Sequence, residues 1–325
     1  MKIYGAALIS ASNLWNGVGV RGSASPAKKD GRGAQSRNQS SFCKPGPEGP
    51  RKENMTAANT TTTYICGAMD PEMKEIIRVL GAQDAHVVRA TSAGAPVHPG
   101  TMYRADGWAS SAAQSLGERV VLVECRFVPS FDWGGRAVTV VDHHGAGDPG
   151  YGCPPDGYFW ASSLGQILGI LGLPATLEQR LIAAGDHCPG AAYRGQCPGV
   201  DPGEFREWRV KSRAEFQRRS VDAVEADIEA AIRIIESTPL TFSDLPFWWR
   251  DFGDRDIPEL SEAGALLGRP IMARPRPGPD GRARVIVQQW CDRALIWWRD
   301  EGAVSLGYVD PYAVLGQGIG GAYLP

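Results

Sequence analysis

The sequence predicts an α/β protein in which a parallel-sheet domain is joined by a long helix to a smaller α+β domain. From Thr63 onward, strand and helix patterns alternate with short connections, which indicates an open α/β sheet. The segments 119–124 and 137–141 are continuous apolar runs, which are typical of strands with both faces covered. Beyond Pro239 the composition becomes rich in tryptophan and glycine, which indicates a second domain.

The elements of the first domain, residues 55–202, follow from the spacing of its apolar residues. Strands are predicted at 63–68, 85–89, 119–124 and 137–141. Asp70-Pro71 predicts a helix start, because proline suits the first helical position, and apolar residues from Met73 to Leu80 continue at helical spacing. Two further helices are predicted at 164–171 and 177–185.

The second half begins with a long amphipathic segment. Residues 203–237 place Val224, Ile228 and Ile235 on one face, so we predict a single connector helix there. The C-terminal α+β domain, 238–325, is predicted to hold a short helix at 257–267 and strands at 270–274, 283–288, 295–299 and 303–307, with a turn at 278–281. Its paired tryptophans indicate core packing with one exposed ring, and base stacking is the alternative.

The N-terminal segment, residues 1–54, is basic, unlike the chain as a whole. It contains nine Lys/Arg and three Asp/Glu, whereas the formal net charge of the whole chain is −2. Positions 20–54 are poor in large apolar residues and rich in Gly, Ser, Pro and basic residues, so we expect disorder there. A biological start at Met55, with residues 1–54 as a gene-model extension, is an open alternative.

Composition excludes two classes of partner. A net charge of −2 and a pI near 6.2 argue against sequence-independent binding to duplex nucleic acid. No stretch reaches the roughly 18 apolar residues of a membrane helix, so no membrane partner is expected. Seven unclustered cysteines suit a reducing compartment, and the short apolar segment 3–9 is a weak secretion signal, so a cytoplasmic protein is predicted. The sequence leaves open whether the protein forms a homodimer.

Acidic and imidazole side chains follow several predicted strands. Asp142-His143-His144 ends the run 137–141, and Asp70 and Glu124 follow two other strands. The carboxyl ends of parallel strands line one crevice, where we also expect Asp186. Carboxylates and imidazoles together suit a hard divalent ion such as Mn²⁺ or Mg²⁺. The alternative is that the aspartate caps a turn and the histidines line a polar cleft.

The order and spacing of these residues resemble the DHH-family phosphoesterases. The resemblance covers about residues 60–190 and includes Ala161-Ser162-Ser163 at a helix start. It implies a two-domain protein with Mn²⁺ or Mg²⁺ in a cleft between the domains. The first motif departs from the family pattern, because Gly-Ala-Met-Asp-Pro-Glu contains Asp70 and Glu72 but no histidine. The second motif has Glu124 where the family usually has aspartate, and His98 or Asp106 are alternative ligands.

The resemblance also implies residue roles. Metal ligands are expected among Asp70, Glu124, Asp142, His143 and Asp186, and the catalytic residues are expected to be Asp142, His143 and His144. A water activated by the metal would attack phosphorus. Substrate phosphate is expected at Arg194 and at a C-terminal glycine-rich element that includes Gly318, Gly320 and Gly321, with Arg274 or Arg276 as further candidates.

These roles predict hydrolysis of a phosphodiester or phosphoanhydride of a nucleotide, short oligonucleotide or polyphosphate. The expected partner is a phosphorylated small molecule or a single-stranded oligonucleotide. One alternative is a catalytically inactive protein that binds a phosphorylated ligand. Another is a zinc-stabilised domain built on Cys153, Cys188 and Cys197, each of which precedes a proline.

Overall fold

The computed structural model describes residues 62–109, 116–241, 247–274, 277 and 282–325. The predictions for residues 1–54, for Met55, for the turn at 278–281 and for Arg276 lie outside the described residues. None of the helices within the described ranges is both long and apolar enough to span a bilayer.

The first sheet is mixed and mostly parallel. Its strands are β1 (Thr62–Cys66), β2 (His86–Ser92), β3 (Ala95–Pro96), β4 (Gly107–Ala109), β5 (Arg119–Val123) and β6 (Ala137–Val141). β1 pairs in parallel with β2 and β5, and β5 pairs in parallel with β6. β3 and β4 pair antiparallel with β2. The predicted α/β class with a largely parallel sheet is confirmed.

Both faces of the central strands are covered, which explains their continuous apolar sequence. Because successive side chains of a strand point to opposite faces, Tyr64 and Val121 join one core cluster while Ile65 and Leu122 join another. β6 differs from the prediction of a fully buried strand. It lies at the sheet edge, and its first three residues are exposed.

Five α-helices lie between residues 62 and 193 of the described ranges. They are α1 (Pro71–Gly81), α2 (Tyr158–Ala161), α3 (Ser163–Leu171), α4 (Leu177–His187) and α5 (Pro189–Tyr193). α1 begins where Asp70-Pro71 predicts, since the Asp70 side chain accepts from the Met73 amide. α4 runs two residues further than predicted, so Asp186 and His187 lie in its last turn rather than after it.

The prediction of one connector helix was wrong. Two helices occupy that segment, α6 (Pro202–Gln217) and α7 (Val221–Ser237). Arg218 adopts a left-handed conformation with φ of 55° and ends α6, and the Ser220 hydroxyl accepts from the Ala223 amide to cap α7. The apolar face of α7 is buried as predicted, through Val224, Ile228 and Ile235.

The second sheet has the order β10-β11-β9-β8-β7 and is antiparallel except for the β7–β8 pair. Its strands are β7 (Arg250–Asp251), β8 (Ile271–Ala273), β9 (Arg284–Gln288), β10 (Val309–Val314) and β11 (Ile319–Tyr323). Its helices are α8 (Leu260–Leu267), α9 (Asp292–Trp297) and α10 (Ala303–Ser305), with a π-helical turn at Trp298–Gly302 between the last two.

Two predicted strands, 295–299 and 303–307, are helical instead. Ala294, Leu295, Trp298 and Ala303 all enter one buried cluster. Ala294 and Leu295 lie four and three residues before Trp298, a spacing that places side chains on one face of a helix. Trp298 is buried and its indole nitrogen donates to the Gly321 carbonyl, whereas Trp248 is 56% exposed. These contacts agree with the core-packing interpretation of the tryptophan pairs.

Candidate metal centre

The Asp142-His143-His144 turn directly follows β6, and its aspartate organises it. Oδ1 of Asp142 accepts from the backbone amides of His143 at 2.7 Å and His144 at 3.1 Å, and it lies 2.8 Å from His144 Nδ1. Arg126 donates to Oδ2 at 3.3 Å. Burial alone would raise the pKa of Asp142, but the hydrogen bond and charge of His144, with the charge of Arg126, lower it. Asp142 therefore positions the turn, and its contacts differ from those of a metal ligand.

The ring of His143 lies among three carboxylates. Its Nε2 is 2.9 Å from Asp186 Oδ2, 3.5 Å from Glu124 Oε1 and 3.9 Å from Glu72 Oε2. Glu124, His143, His144 and Asp186 each offer one ligand atom, and these four atoms lie within 4.8 Å of one another. Such a buried group of two acids and two imidazoles can hold a metal ion.

Six buried atoms of metal-ligand type at this end of the first sheet lack hydrogen-bond partners within the described parts of the chain. They are Asp70 Oδ2, Glu72 Oε2, Glu124 Oε1, His143 Nε2, His144 Nε2 and Asp186 Oδ2. Buried polar atoms are nearly always paired, and an unpaired buried charge is costly. Four of these atoms, from Glu124, His143, His144 and Asp186, lie within 4.8 Å of one another, and such a group fits a cation.

Asp70 and Glu72 each use one carboxylate oxygen to organise the chain and leave the other unpaired. Asp70 Oδ1 accepts from the Met73 amide at 2.7 Å at the start of α1. Glu72 Oε1 accepts from the Leu164 amide at 3.1 Å at the start of α3. Glu72 was not among the predicted metal ligands. Its place two residues after Asp70, in the first turn of α1, is the sequence signal that could have indicated a ligand.

Glu124 depends on an unusual backbone at the end of β5. It adopts a left-handed conformation with φ of 49°, and its amide donates to the Val141 carbonyl at 2.9 Å. Gly67 packs against it so closely that a Cβ atom at position 67 would lie 2.2 Å from the Glu124 carbonyl oxygen. Any side chain at Gly67 would displace Glu124, so the carboxyl ends of β1 and β5 are matched to one another.

The electrostatics of the centre show an excess of buried negative charge. Burial first, and then the charges of Glu124 and Asp186, raise the pKa of Asp70 and of Glu72 well above the usual range. Burial would lower the pKa of His143, but its contacts with Asp186 and Glu124 raise it to about 10. The pKa of Asp186 is lowered, because contact with His143 outweighs burial. A bound cation would neutralise this excess.

Two further residues reach His143 from the side away from the carboxylates. Gln317, in the turn between β10 and β11, places its Nε2 atom 2.8 Å from His143 Nδ1. His187 Nδ1 lies 3.0 Å from the same nitrogen, and His187 Nε2 lies 3.1 Å from the Cys153 carbonyl oxygen. Burial first, and then the charge of His143, lower the pKa of His187 to about 3, so its ring is neutral. The sequence analysis predicted neither the contact of Gln317 with His143 nor that of His187 with His143.

The predicted phosphate-binding residues separate into two groups. Arg194 and Gly318 line a cleft of about 350 Å³ that also includes Gln317. Gly320 and Gly321 are instead buried in β11. A Cβ at either position would lie within 2.8 Å of Tyr312 atoms, so packing explains these glycines, and a phosphate contact at them stays a prediction.

The alternative metal ligands, His98 and Asp106, and the further phosphate candidate Arg274 have other hydrogen-bond partners. Asp106 accepts from the Ala93 amide, and His98 Nδ1 accepts from the Gly100 amide. Arg274 donates to Asp254 and to the Tyr308 hydroxyl.

The cysteines of the zinc alternative do not form a second metal site among the described residues, where the group at the Asp142-His143-His144 turn is the one with convergent ligand atoms. Cys188 and Cys197 contact each other, with their sulfurs 3.2 Å apart.

No model of a known protein family matches the chain, and no curated protein sequence matches it.

Proposed function

We propose that the protein is a metal-dependent phosphoesterase of the DHH type, which uses Mn²⁺ or Mg²⁺ to hydrolyse a phosphodiester or phosphoanhydride bond. The proposal rests on the unpaired ligand-type atoms of Glu124, His143, His144 and Asp186, which lie within 4.8 Å of one another. A divalent ion held there would supply Lewis acidity and lower the pKa of a water nucleophile.

The donor set supports the choice of ion. Four carboxylates, from Asp70, Glu72, Glu124 and Asp186, and two imidazoles provide the unpaired atoms, and no thiolate is among them. Hard oxygen donors select Mg²⁺ and Mn²⁺, and imidazole favours Mn²⁺ of the two. In this proposal Glu72 contributes the acid that the first motif otherwise lacks, two positions after Asp70.

His144 has the geometry of a group that holds the reacting oxygens. Its Nδ1 lies 2.8 Å from Asp142 Oδ1, which orients the ring, and its buried Nε2 is unpaired and belongs to the convergent group. Burial and the charge of His143 oppose protonation, yet the hydrogen bond to Asp142 raises the pKa of His144 overall. We assign Nε2 of His144 to the ion or to the leaving oxygen.

Two clefts adjoin the centre. One, of about 70 Å³, is lined by Asp70, Glu72 and Asp186, and is large enough for water. The other, of about 350 Å³, includes Gln317 and has Arg194 on its wall. A guanidinium fork suits a phosphate group, so the substrate we propose is a phosphorylated small molecule or the end of a single-stranded oligonucleotide.

The experiment is Mn²⁺-dependent hydrolysis of a bis-aryl phosphodiester and of a short oligonucleotide by the full chain. We expect Glu124→Gln and Asp186→Asn to lower the rate by at least about 100-fold, as for the loss of an ionised group at a catalytic centre. Glu225→Gln, at an exposed position of α7, is the matched control and should keep the wild-type rate. A wild type that binds Mn²⁺ but hydrolyses neither substrate would instead favour the inactive binding protein.

A further inference from the structure

We propose that His187 and Gln317 are positioning residues that fix the hydrogen on Nδ1 of His143 and so leave its Nε2 available to the metal. The observation is that His143 Nδ1 contacts both residues, while His143 Nε2 faces the carboxylates without a hydrogen-bond partner. This inference rests on the metal-binding part of the proposed function, and it does not depend on which substrate is hydrolysed.

The first step is the tautomer of His187. Its Nε2 lies 3.1 Å from the Cys153 carbonyl oxygen, and a carbonyl oxygen can only accept. Nε2 of His187 therefore carries the hydrogen. Two Nδ1 atoms 3.0 Å apart share one hydrogen, and a His143 ring that offers Nε2 to an ion carries its hydrogen on Nδ1, so Nδ1 of His187 is the acceptor.

The second step is the hydrogen on His143. His187 Nδ1 accepts, and it lies 3.0 Å from His143 Nδ1, so the hydrogen between them belongs to His143. The chain of hydrogen bonds then runs from His143 Nδ1 through the His187 ring to the Cys153 carbonyl. Nε2 of His143, 2.9 Å from Asp186 and 3.5 Å from Glu124, becomes the nitrogen at which an ion binds.

The third step is the orientation of the Gln317 amide. As placed, its Nε2 lies 2.8 Å from His143 Nδ1, which would set two donors against each other, while Oε1 has no partner in the described residues. Rotating the amide by 180° exchanges O and N, a choice made from hydrogen bonding. Oε1 then shares the single hydrogen of His143 Nδ1 with His187 Nδ1, in a three-centre hydrogen bond. The contact given up, from Nε2 to the His143 carbonyl, is 3.5 Å long and therefore weak.

The consequence is a contact between the second sheet and the metal centre. Gln317 lies 174 residues from His143 in sequence and enters the centre from the β10–β11 turn. Groups that hold the other nitrogen of a metal-binding histidine typically change metal affinity by about 10- to 100-fold. The second half of the chain therefore sets metal affinity through one amide oxygen.

The test measures Mn²⁺ affinity of the full chain by calorimetry. We expect Gln317→Met, which keeps the side-chain length but removes the acceptor, to weaken binding about 10- to 100-fold. Gln317→Glu, which can only accept, should bind at least as tightly as wild type. Equal affinity in wild type and Gln317→Met would overturn the role of Gln317, and so would weakened binding in Gln317→Glu. No Mn²⁺ binding by wild type would instead overturn the metal proposal itself.

A second measurement requires no substitution in the centre. The chain has five histidines, so ¹⁵N spectra of the Mg²⁺-loaded protein can resolve each ring. We expect hydrogen on Nδ1 of His143 and on Nε2 of His187, as the chain of hydrogen bonds from His143 to the Cys153 carbonyl requires. Hydrogen on Nε2 of His143 or on Nδ1 of His187 would overturn that chain of hydrogen bonds.

Substitution of His187 gives a third test. His187→Leu should weaken Mn²⁺ binding, and His187→Asn, which keeps an acceptor near the Nδ1 position, should restore part of it.

Discussion

Mn²⁺ should stabilise the folded protein, and Glu124→Gln should remove most of that stabilisation. Ligand atoms of Glu124 and Asp186 lie within 4.8 Å of each other. At that separation two ionised carboxylates repel by about 3.5 kcal/mol with an effective dielectric constant of about 20. The positive charge of His143 offsets part of this repulsion, and a divalent ion would convert the rest into attraction.

The expected shift follows from binding linkage. At a free Mn²⁺ concentration of about 100 times Kd, binding adds about 2.7 kcal/mol to the free energy of unfolding. For a folded chain of this size, each kcal/mol raises Tm by about 2–4 °C, so the wild-type Tm should rise by about 5–11 °C. If Glu124→Gln weakens binding about 100-fold, the same Mn²⁺ concentration adds only about 0.4 kcal/mol, or about 1–2 °C.

The assay is thermal unfolding of the full chain after treatment with a chelator, with and without Mn²⁺. Glu225→Gln, exposed on α7, should respond like wild type. In chelator, Glu124→Gln should be about as stable as wild type, because the substitution removes a repulsion as well as an attraction. A wild-type Tm that does not change with Mn²⁺, or a Glu124→Gln shift equal to that of wild type, would refute the reasoning.

Two further predictions concern backbone fit and pH. Gly67→Ala should abolish Mn²⁺ binding measured by calorimetry, since its Cβ would meet Glu124 at 2.2 Å, whereas Gly81→Ala meets nothing within 4 Å and should bind normally. Burial would raise the pKa of Glu262, but Arg209 and its neighbours lower it. Its stabilising contribution is therefore present above about pH 4.3, the unfolded value, and is lost as pH falls through the lower folded pKa. Urea unfolding between pH 3 and 7 should show a weaker acid dependence in Glu262→Gln, and an unchanged dependence would contradict the assignment.

Local sequence determined the elements whose cause is local. The apolar runs of β5 and β6 and the Asp70-Pro71 helix start appear where their patterns predict them. The same is true of the turn at Asp142, because an aspartate that accepts from the next two amides needs no distant partner. These features placed most of the predicted ligands at one rim of the first sheet.

The segment 294–305 shows where local pattern stops being informative. The sequence predicts strands at 295–299 and 303–307, but Leu295, Trp298 and Ala303 are buried in one cluster and lie in a helical segment. The strand pair β10 and β11 escaped prediction because its glycines resembled a phosphate-binding loop. They are explained by the close approach of Tyr312, which no local pattern encodes.

The sequence by itself determined which residue types would meet at the end of the first sheet, and only the tertiary structure decided how each atom is used. Asp142 could bind a metal or hold a turn, and its contacts with two amides and Arg126 place it in the turn. Oε1 of Glu72 accepts from an amide at the start of α3, and this contact leaves Oε2 beside His143 at the metal centre. Gln317 reaches His143 across 174 residues. Such contacts depend on packing between distant segments, and hydrophobic periodicity reports only the face that each segment buries.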